Sequence, residues 1–282
     1  MPPQIINADS ATSAFRLPPG QKAELVALLD ERERRKAQRL FYALYPDDDT
    51  IWDGPSIMGG LIQRGQVLYS RHKYARHMEF LAAGATYRER CAMMANRVGK
   101  TFGLGGYEVA THLTGEYPEW WTGRRFSHPI SAWAAGDTYL TTRDIMQLTL
   151  LGEVGWRNGR KVMDGCGIVP GHAVGAPIWH SGVQNLVDTI PIRHISGGWS
   201  QLGFKSFDQG RRVFQGVGRH VIWLDEECPP DVYSECLIRT ATVDGIIMLT
   251  FTPLSGITEV VRSFLPGHDL VIDEPAESYG DA

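Results

Sequence analysis

The stretch Ala92-Met-Met-Ala-Asn-Arg-Val-Gly-Lys-Thr101 constrains this chain more than any other. It has an apolar entry, a compact turn and the Gly-Lys-Thr ending of a phosphate-binding loop. In such a loop a buried strand delivers the chain into a turn whose successive N–H groups face a polyphosphate. A helix then begins with the positive end of its dipole on that anion. Asn96, Arg97 and Val98 would form the turn, and Gly99 would let the backbone approach closely. Lys100 would reach the β- and γ-phosphates, and the Thr101 hydroxyl would ligate magnesium. The pattern G-x-x-x-x-G-K-[ST] places a glycine five residues before Gly99, and Met94 stands there instead. A bare Gly-Lys-Thr is common by chance and more often an ordinary helix start, so the reading needs a second motif.

Val221-Ile-Trp-Leu-Asp-Glu-Glu227 supplies it. An apolar run that ends abruptly in acids is how a buried parallel strand presents carboxylates at its C-terminal end. Asp225 would hold magnesium, and Glu226 would polarise the water that attacks the γ-phosphate. Glu227 is the competing base, because strand alternation puts neighbouring side chains on opposite faces. Adjacency to Asp225 favours Glu226. Downstream, Gly245 to Gly256 repeats the format, an apolar strand ending in hydroxyls and a Pro-Gly turn. A strand beside both motifs would let Thr250 or Thr252 sense the γ-phosphate or its water, although a plain buried strand is an equal reading of either threonine.

Composition sets the outer bounds. The chain has 282 residues, 43% apolar, enough for one large domain or two small ones with a real core. Its longest apolar runs are too short to span a bilayer, and the N-terminus carries no secretory pattern. The four cysteines are scattered without a C-x-x-C pair, which fits a reducing cytoplasm. A net charge of −4 argues against coating nucleic acid with the whole surface and leaves room for local basic patches.

Along the chain, residues 1–20 read as a loose arm and Gln21 to about Tyr45 as a helix interrupted by the charge run Asp30–Lys36, a solvated face. Turn residues at Pro46–Thr50 and Asp53–Pro55 mark a boundary. This predicts an N-terminal arm and helical lid-like subdomain over 1–58 and a core over 59–282. A helix is expected over 71–83. Gly103, Gly105 and Gly106, in the helix after the loop, suggest close packing against the sheet. The aromatic and arginine-rich segment Glu116–Phe126 reads as a loop packing its tryptophans onto the core in preference to stacking bases. A strand over Ile130–Ala135 and a helix around Thr142–Leu151 follow. Residues 152–182 carry too many glycines and turn residues to assign, and His172 and His180 read as ordinary histidines. Ile190–Ile195 and Gln201–Phe207 look like strands paired as a hairpin at the sheet edge.

With these stretches in place, the chain resembles the ATPase domain of the large terminase subunit of tailed bacteriophages, the motor that packages DNA. The resemblance runs from about Tyr74 to Leu265. It is carried by Ala95-Asn-Arg-Val-Gly-Lys-Thr101, His112-Leu-Thr-Gly-Glu-Tyr-Pro-Glu-Trp-Trp121, Trp133-Ala-Ala-Gly-Asp-Thr138, Lys205-Ser-Phe-Asp-Gln-Gly210, Trp223-Leu-Asp-Glu-Glu227 and Leu249-Thr-Phe-Thr-Pro-Leu254. It implies an α/β fold of the RecA-like, additional-strand P-loop type, with a mostly parallel central sheet flanked by helices. It also implies ATP and magnesium. By the same resemblance Lys100 and Thr101 bind phosphate and metal, Asp225 binds metal, Glu226 is the catalytic base and Thr252 belongs to a coupling motif. Arg97 contacts the γ-phosphate or couples it to the glutamate. Related motors present an arginine from a neighbouring subunit. Gln215 occupies its expected place, so Arg211, Arg212 and Arg219 are candidates, with Arg212 preferred. No adenine-contacting glutamine is evident, and His77 lies near that position.

The implied partners are double-stranded DNA, a homo-oligomeric ring on the portal and the small terminase subunit, with no membrane. The implied location is the host cytoplasm, on the procapsid during assembly and not in the mature virion. No nuclease activity is expected, since the chain ends in the acidic tail Asp269–Ala282 soon after the coupling motif. The alternatives are another P-loop ATPase of helicase or recombinase type, or a nucleotide-binding scaffold without turnover. Lys205, Arg211, Arg212, Arg219 and the Arg124-Arg125 turn are the basic positions from which DNA contacts are expected.

Overall fold

A computed structural model describes residues 21–22, 24–29, 31, 39–254 and 256–265. The N-terminal arm, most of the Asp30–Lys36 charge run and the acidic tail lie outside the described residues. Eleven strands are present among those described: β1 (Thr50–Ile51), β2 (Val67–Leu68), β3 (Glu89–Met93), β4 (Ser131–Gly136), β5 (Val154–Arg157), β6 (Arg160–Met163), β7 (Ile178–Trp179), β8 (Val187–Arg193), β9 (Trp199–Ser206), β10 (Val221–Asp225) and β11 (Ile246–Phe251).

Seven of them form the central sheet in the order β3-β11-β10-β4-β9-β8-β7. The first five run parallel, and β8 and β7 are added antiparallel at the far side. The sequence places β8 and β9 as an edge hairpin; their antiparallel pairing agrees, and β7 forms the outermost strand. The fold is therefore α/β with a mostly parallel sheet.

Apolar runs such as Ile246-Ile-Met-Leu-Thr-Phe251 bury every residue, as a sheet covered on both faces requires. Alternation then sorts the side chains. Val221, Trp223, Ile246 and Met248 join one core, and Ile222, Leu224, Ile247 and Leu249 join the other. The first core also takes in Leu40, Phe41, Tyr45 and Trp52, together with Leu104 and Tyr107 from the helical segment after the loop.

That segment runs through a π-helical stretch, Lys100–Gly106, into the α-helix Tyr107–Thr114. Gly105 explains its closeness to the sheet: a Cβ there would lie 2.1 Å from the Trp223 indole. The glycines that weaken helix propensity are thus a condition of the packing. Trp121 is buried, and Trp120 stacks on Tyr107 with ring centroids 6.2 Å apart. These two tryptophans pack onto the core.

Two sequence expectations change. A continuous helix from Gln21 to Tyr45 fails at Arg39, whose backbone is extended at φ −111°, ψ 127°, with only Leu40–Ala43 helical beyond it. The unassigned stretch 152–182 contains the antiparallel hairpin β5–β6 and the edge strand β7. Its signal is Asn158-Gly159, both at positive φ, the two-residue turn that suits a twisted hairpin. No helix among the described residues is long and apolar enough to cross a membrane.

Candidate functional site

Three neighbouring strand ends build the site. β3 leads into the Ala92–Thr101 turn, β10 ends at Asp225, and β11 lies between them and pairs with both. Because all three run parallel, their C-terminal ends open on one edge of the sheet, where open α/β sheets bind ligands. Thr250 is paired in register with Asp225 on one side and Ala92 on the other.

Asp225 is the centre of a hydroxyl network. Thr101 Oγ1 donates to its carboxylate, 2.8 Å from Oδ2, and Thr250 Oγ1 donates to Oδ1 at 2.6 Å. The Trp223 indole N–H donates in turn to Thr250 Oγ1 at 2.7 Å. The helix after the loop, the acidic strand and the strand between them are thereby joined through buried polar contacts. Burial pushes the Asp225 carboxyl up to about 6; hydrogen bonds from Thr250 and Thr101 and the charge of Lys100 pull it down, while Glu226 pushes it up.

Thr101 Oγ1 and the Asp225 carboxylate are hard oxygen donors within reach of one ion. Magnesium suits such a site, since it takes one or two carboxylates and completes its shell with water and phosphate oxygens. Among the described residues no group of three or more His, Cys, Asp or Glu side chains could hold a metal, so these oxygens do not form a self-sufficient protein cage.

The turn is closed around its own lysine. Lys100 Nζ donates to Ala95 O at 2.9 Å and to Thr252 Oγ1 at 2.8 Å. Thr252 Oγ1 also lies 2.8 Å from Met94 O and from Asn96 Oδ1. Gly99 adopts φ +85°, which glycine reaches without strain. Arg97 at φ +64° also occupies the left-handed region, and its side chain is exposed, with no hydrogen bond or ion pair among the described residues. Val98 is exposed, but its carbonyl oxygen lies 3.0 Å from His77 Nε2.

His77 and Tyr45 form a clamp that sequence reading did not find. Tyr45 Oη lies 2.8 Å from His77 Nδ1 and donates to Gly103 O at 2.7 Å. Both ring nitrogens of His77 are therefore engaged with the protein, and burial lowers its pKa. Beside this clamp opens a cavity of about 210 Å³, lined by Tyr45, Gln66, Tyr69, Tyr74, Phe102 and Gly99 among others. Its aromatic walls suit a flat heterocycle.

The two glutamates after Asp225 diverge. Glu226 is exposed and held at φ +92°, its N–H bonded to Thr250 O at 3.0 Å. Glu227 accepts a hydrogen bond from Thr258, the N-cap of the helix Glu259–Ser263. Thr250 is wholly buried and reaches the site only through Asp225, whereas Thr252 faces the turn directly. Among the three candidate arginines, Arg211 pairs with Glu235 at 2.8 Å and Arg219 lies 4.4 Å over the Trp133 ring. Arg212 is exposed and has no such partner among the described residues.

Comparison with known proteins adds a family. Residues 91–277 match the family of the terminase large subunit, T4likevirus-type, N-terminal. The chain is similar to the terminase large subunit of Salmonella phage P22, with 36% identity over 216 residues, 71% of this chain and 42% of that protein. It therefore spans less than half of that relative's length. No solved structure matches. A family match over most of the chain that begins on β3 and runs through both strand ends of the site shows that this chain belongs to the terminase large-subunit family.

Proposed function

We propose that this chain is a magnesium-dependent ATPase domain of RecA-like, additional-strand P-loop type that powers the packaging of double-stranded viral DNA. The observation that carries the proposal is the convergence of Lys100, Thr101, Asp225 and Thr252 at three adjacent parallel strand ends. The strand order supports the fold assignment, because β11 separates the loop strand from the acidic strand.

On this reading Asn96, Arg97, Val98 and Gly99 cradle the polyphosphate, and Lys100 exchanges its bonds to Ala95 O and Thr252 for phosphate oxygens. Magnesium, held through Thr101 and Asp225, would neutralise phosphate charge. Glu226 orients the attacking water and accepts its proton as the water oxygen bonds to the γ-phosphorus and the β–γ bridging bond breaks. Glu227 is occupied by Thr258, which favours Glu226 as the base. The aromatic cavity beside Gly99 receives the base of ATP, with Gln66 as an amide on its wall. Arg97 acts on the γ-phosphate within the subunit, and Arg212 reaches a neighbouring subunit of a homo-oligomeric ring on the portal, where the small terminase subunit and DNA also meet the motor. Thr252, tied to both Lys100 and Asn96, couples phosphate state to β11, and Thr250 does so through Asp225.

Phosphate release from ATP tests this directly. Glu226→Gln should lower the rate by at least about a hundredfold, within the usual contribution of a general base. Undiminished hydrolysis in that variant would remove the base assignment. Nucleotide binding without turnover, even with DNA present, would leave a scaffold.

A further inference from the structure

The basic positions that sequence reading offered for DNA contact are largely engaged. Arg124 pairs with Asp244 at 2.6 Å, and Arg125 lies over the Tyr117 ring while donating to Trp121 O. Lys205 lies 4.0 Å from Asp188, Arg211 pairs with Glu235, and Arg219 lies over Trp133. The hairpin β5–β6 is different. Asn158-Gly159 closes it tightly, and its register sets Trp156 opposite Lys161 and Arg157 opposite Arg160.

Two arginines directly across a strand pair repel each other. Neither Arg157, Arg160 nor Lys161 has a carboxylate within ion-pair distance among the described residues. The nearest acids in sequence, Glu153 and Asp164, sit at the hairpin's base and accept from backbone N–H groups: Glu153 from Gly59, Asp164 from Glu153 and Cys166. Residues 156–160 are all exposed, and Trp156 is 75% exposed. Trp156 and Lys161 share the hairpin's other face, where Lys161 lies 4.3 Å over the ring of Trp179 on the edge strand β7. An uncompensated cation pair beside a two-residue turn, in a chain of net charge −4, has the chemistry of a local phosphate contact.

We propose that the β5–β6 hairpin tip, through the cross-strand pair Arg157 and Arg160, grips the phosphate backbone of duplex DNA. This rests on the reading of the chain as a DNA-handling motor. The arginines position the duplex without reading sequence.

Duplex binding by fluorescence anisotropy over a salt series tests it. Arg157→Ala/Arg160→Ala removes both phosphate-binding cations; it should weaken binding about tenfold or more at about 50 mM salt, and reduce the slope of log K against log salt by about 1.8. Basal ATP hydrolysis should stay unchanged. A control pair, Arg64→Ala/Arg76→Ala, removes the same charge elsewhere and should bind like the unaltered chain. Full affinity and slope in the hairpin variant would overturn this inference and leave the motor reading standing. Equal losses in both pairs would also overturn it, as an effect of bulk charge. Tighter binding to a single strand, abolished by Trp156→Ala, would overturn the duplex assignment. No duplex binding by the unaltered chain would overturn both readings.

Discussion

Lys100 Nζ donates to Thr252 Oγ1 at 2.8 Å, joining the turn after β3 to the end of β11 across 152 residues of chain. The same hydroxyl touches Met94 O and Asn96 Oδ1, so both sides of the turn report to a single atom. Thr252→Val keeps the shape and removes that atom. Once Lys100 has moved to phosphate, the neutral bond to Asn96 still ties the turn to β11; such a bond contributes about 0.5–1.5 kcal/mol, so hydrolysis should fall by roughly two- to tenfold. Nucleotide affinity, followed with a fluorescent analogue, should change less than kcat. An equal loss in both would assign Thr252 to binding alone.

Gly105 faces the Trp223 indole with no space for a methyl group. Gly105→Ala gains helix propensity yet forces the helix off the sheet, and overpacking of this kind costs about 1–3 kcal/mol. Urea unfolding should show a lower midpoint. Because Trp223 also donates to Thr250, ATP hydrolysis should decline with it. A stabilised variant would mean that the helix can slide without cost.

Arg90 and Glu108 form a buried pair, 2.6 Å apart, between β3 and the helix Tyr107–Thr114. His112 and the Phe80 carbonyl complete the cluster. Arg90→Met alone leaves a buried carboxylate and should cost about 3–5 kcal/mol. Adding Glu108→Leu should recover much of that loss. Thermal unfolding of both variants decides the matter, and additive losses would show that the pair is not coupled.

Asp225 carries a proton to higher pH when folded than when unfolded, its pKa raised from 3.8 to about 6 by burial. Between those values the native state binds more protons, so this group's stabilising share is full at low pH and is lost as pH rises through the window. Asp225→Asn should flatten the fall in Tm across that range in the absence of nucleotide and magnesium. It should also abolish hydrolysis. An unaltered pH slope would assign the linked proton to another group.

Much of the site was legible because it is carried by local patterns. Gly99-Lys100-Thr101 and the Val221–Asp225 run announce a turn and a strand end by their own chemistry, and the threonines at the end of β11 suggest a third strand nearby. What the chain order hides is the set of contacts that lock these ends. Tyr45 reaches Gly103 from 58 residues upstream, and no periodicity marks it. Trp223 reads as one more apolar strand residue until its N–H finds Thr250. The β5–β6 hairpin was missed for another reason: Gly152, Gly155, Gly165 and Gly167 drown the Asn158-Gly159 signal in turn residues. The break at Arg39 is set by tertiary packing of Leu40 and Phe41, which overrides a run of good helix formers.

Glu226 stands at φ +92° and Arg97 at φ +64°, where glycine would rest more easily. A non-glycine residue in such a conformation costs on the order of 1–3 kcal/mol. Selection for foldability alone would drift both positions toward glycine. A screen that rewards only soluble expression should therefore enrich Glu226→Gly and Arg97→Gly, yielding proteins that are sturdier and inert.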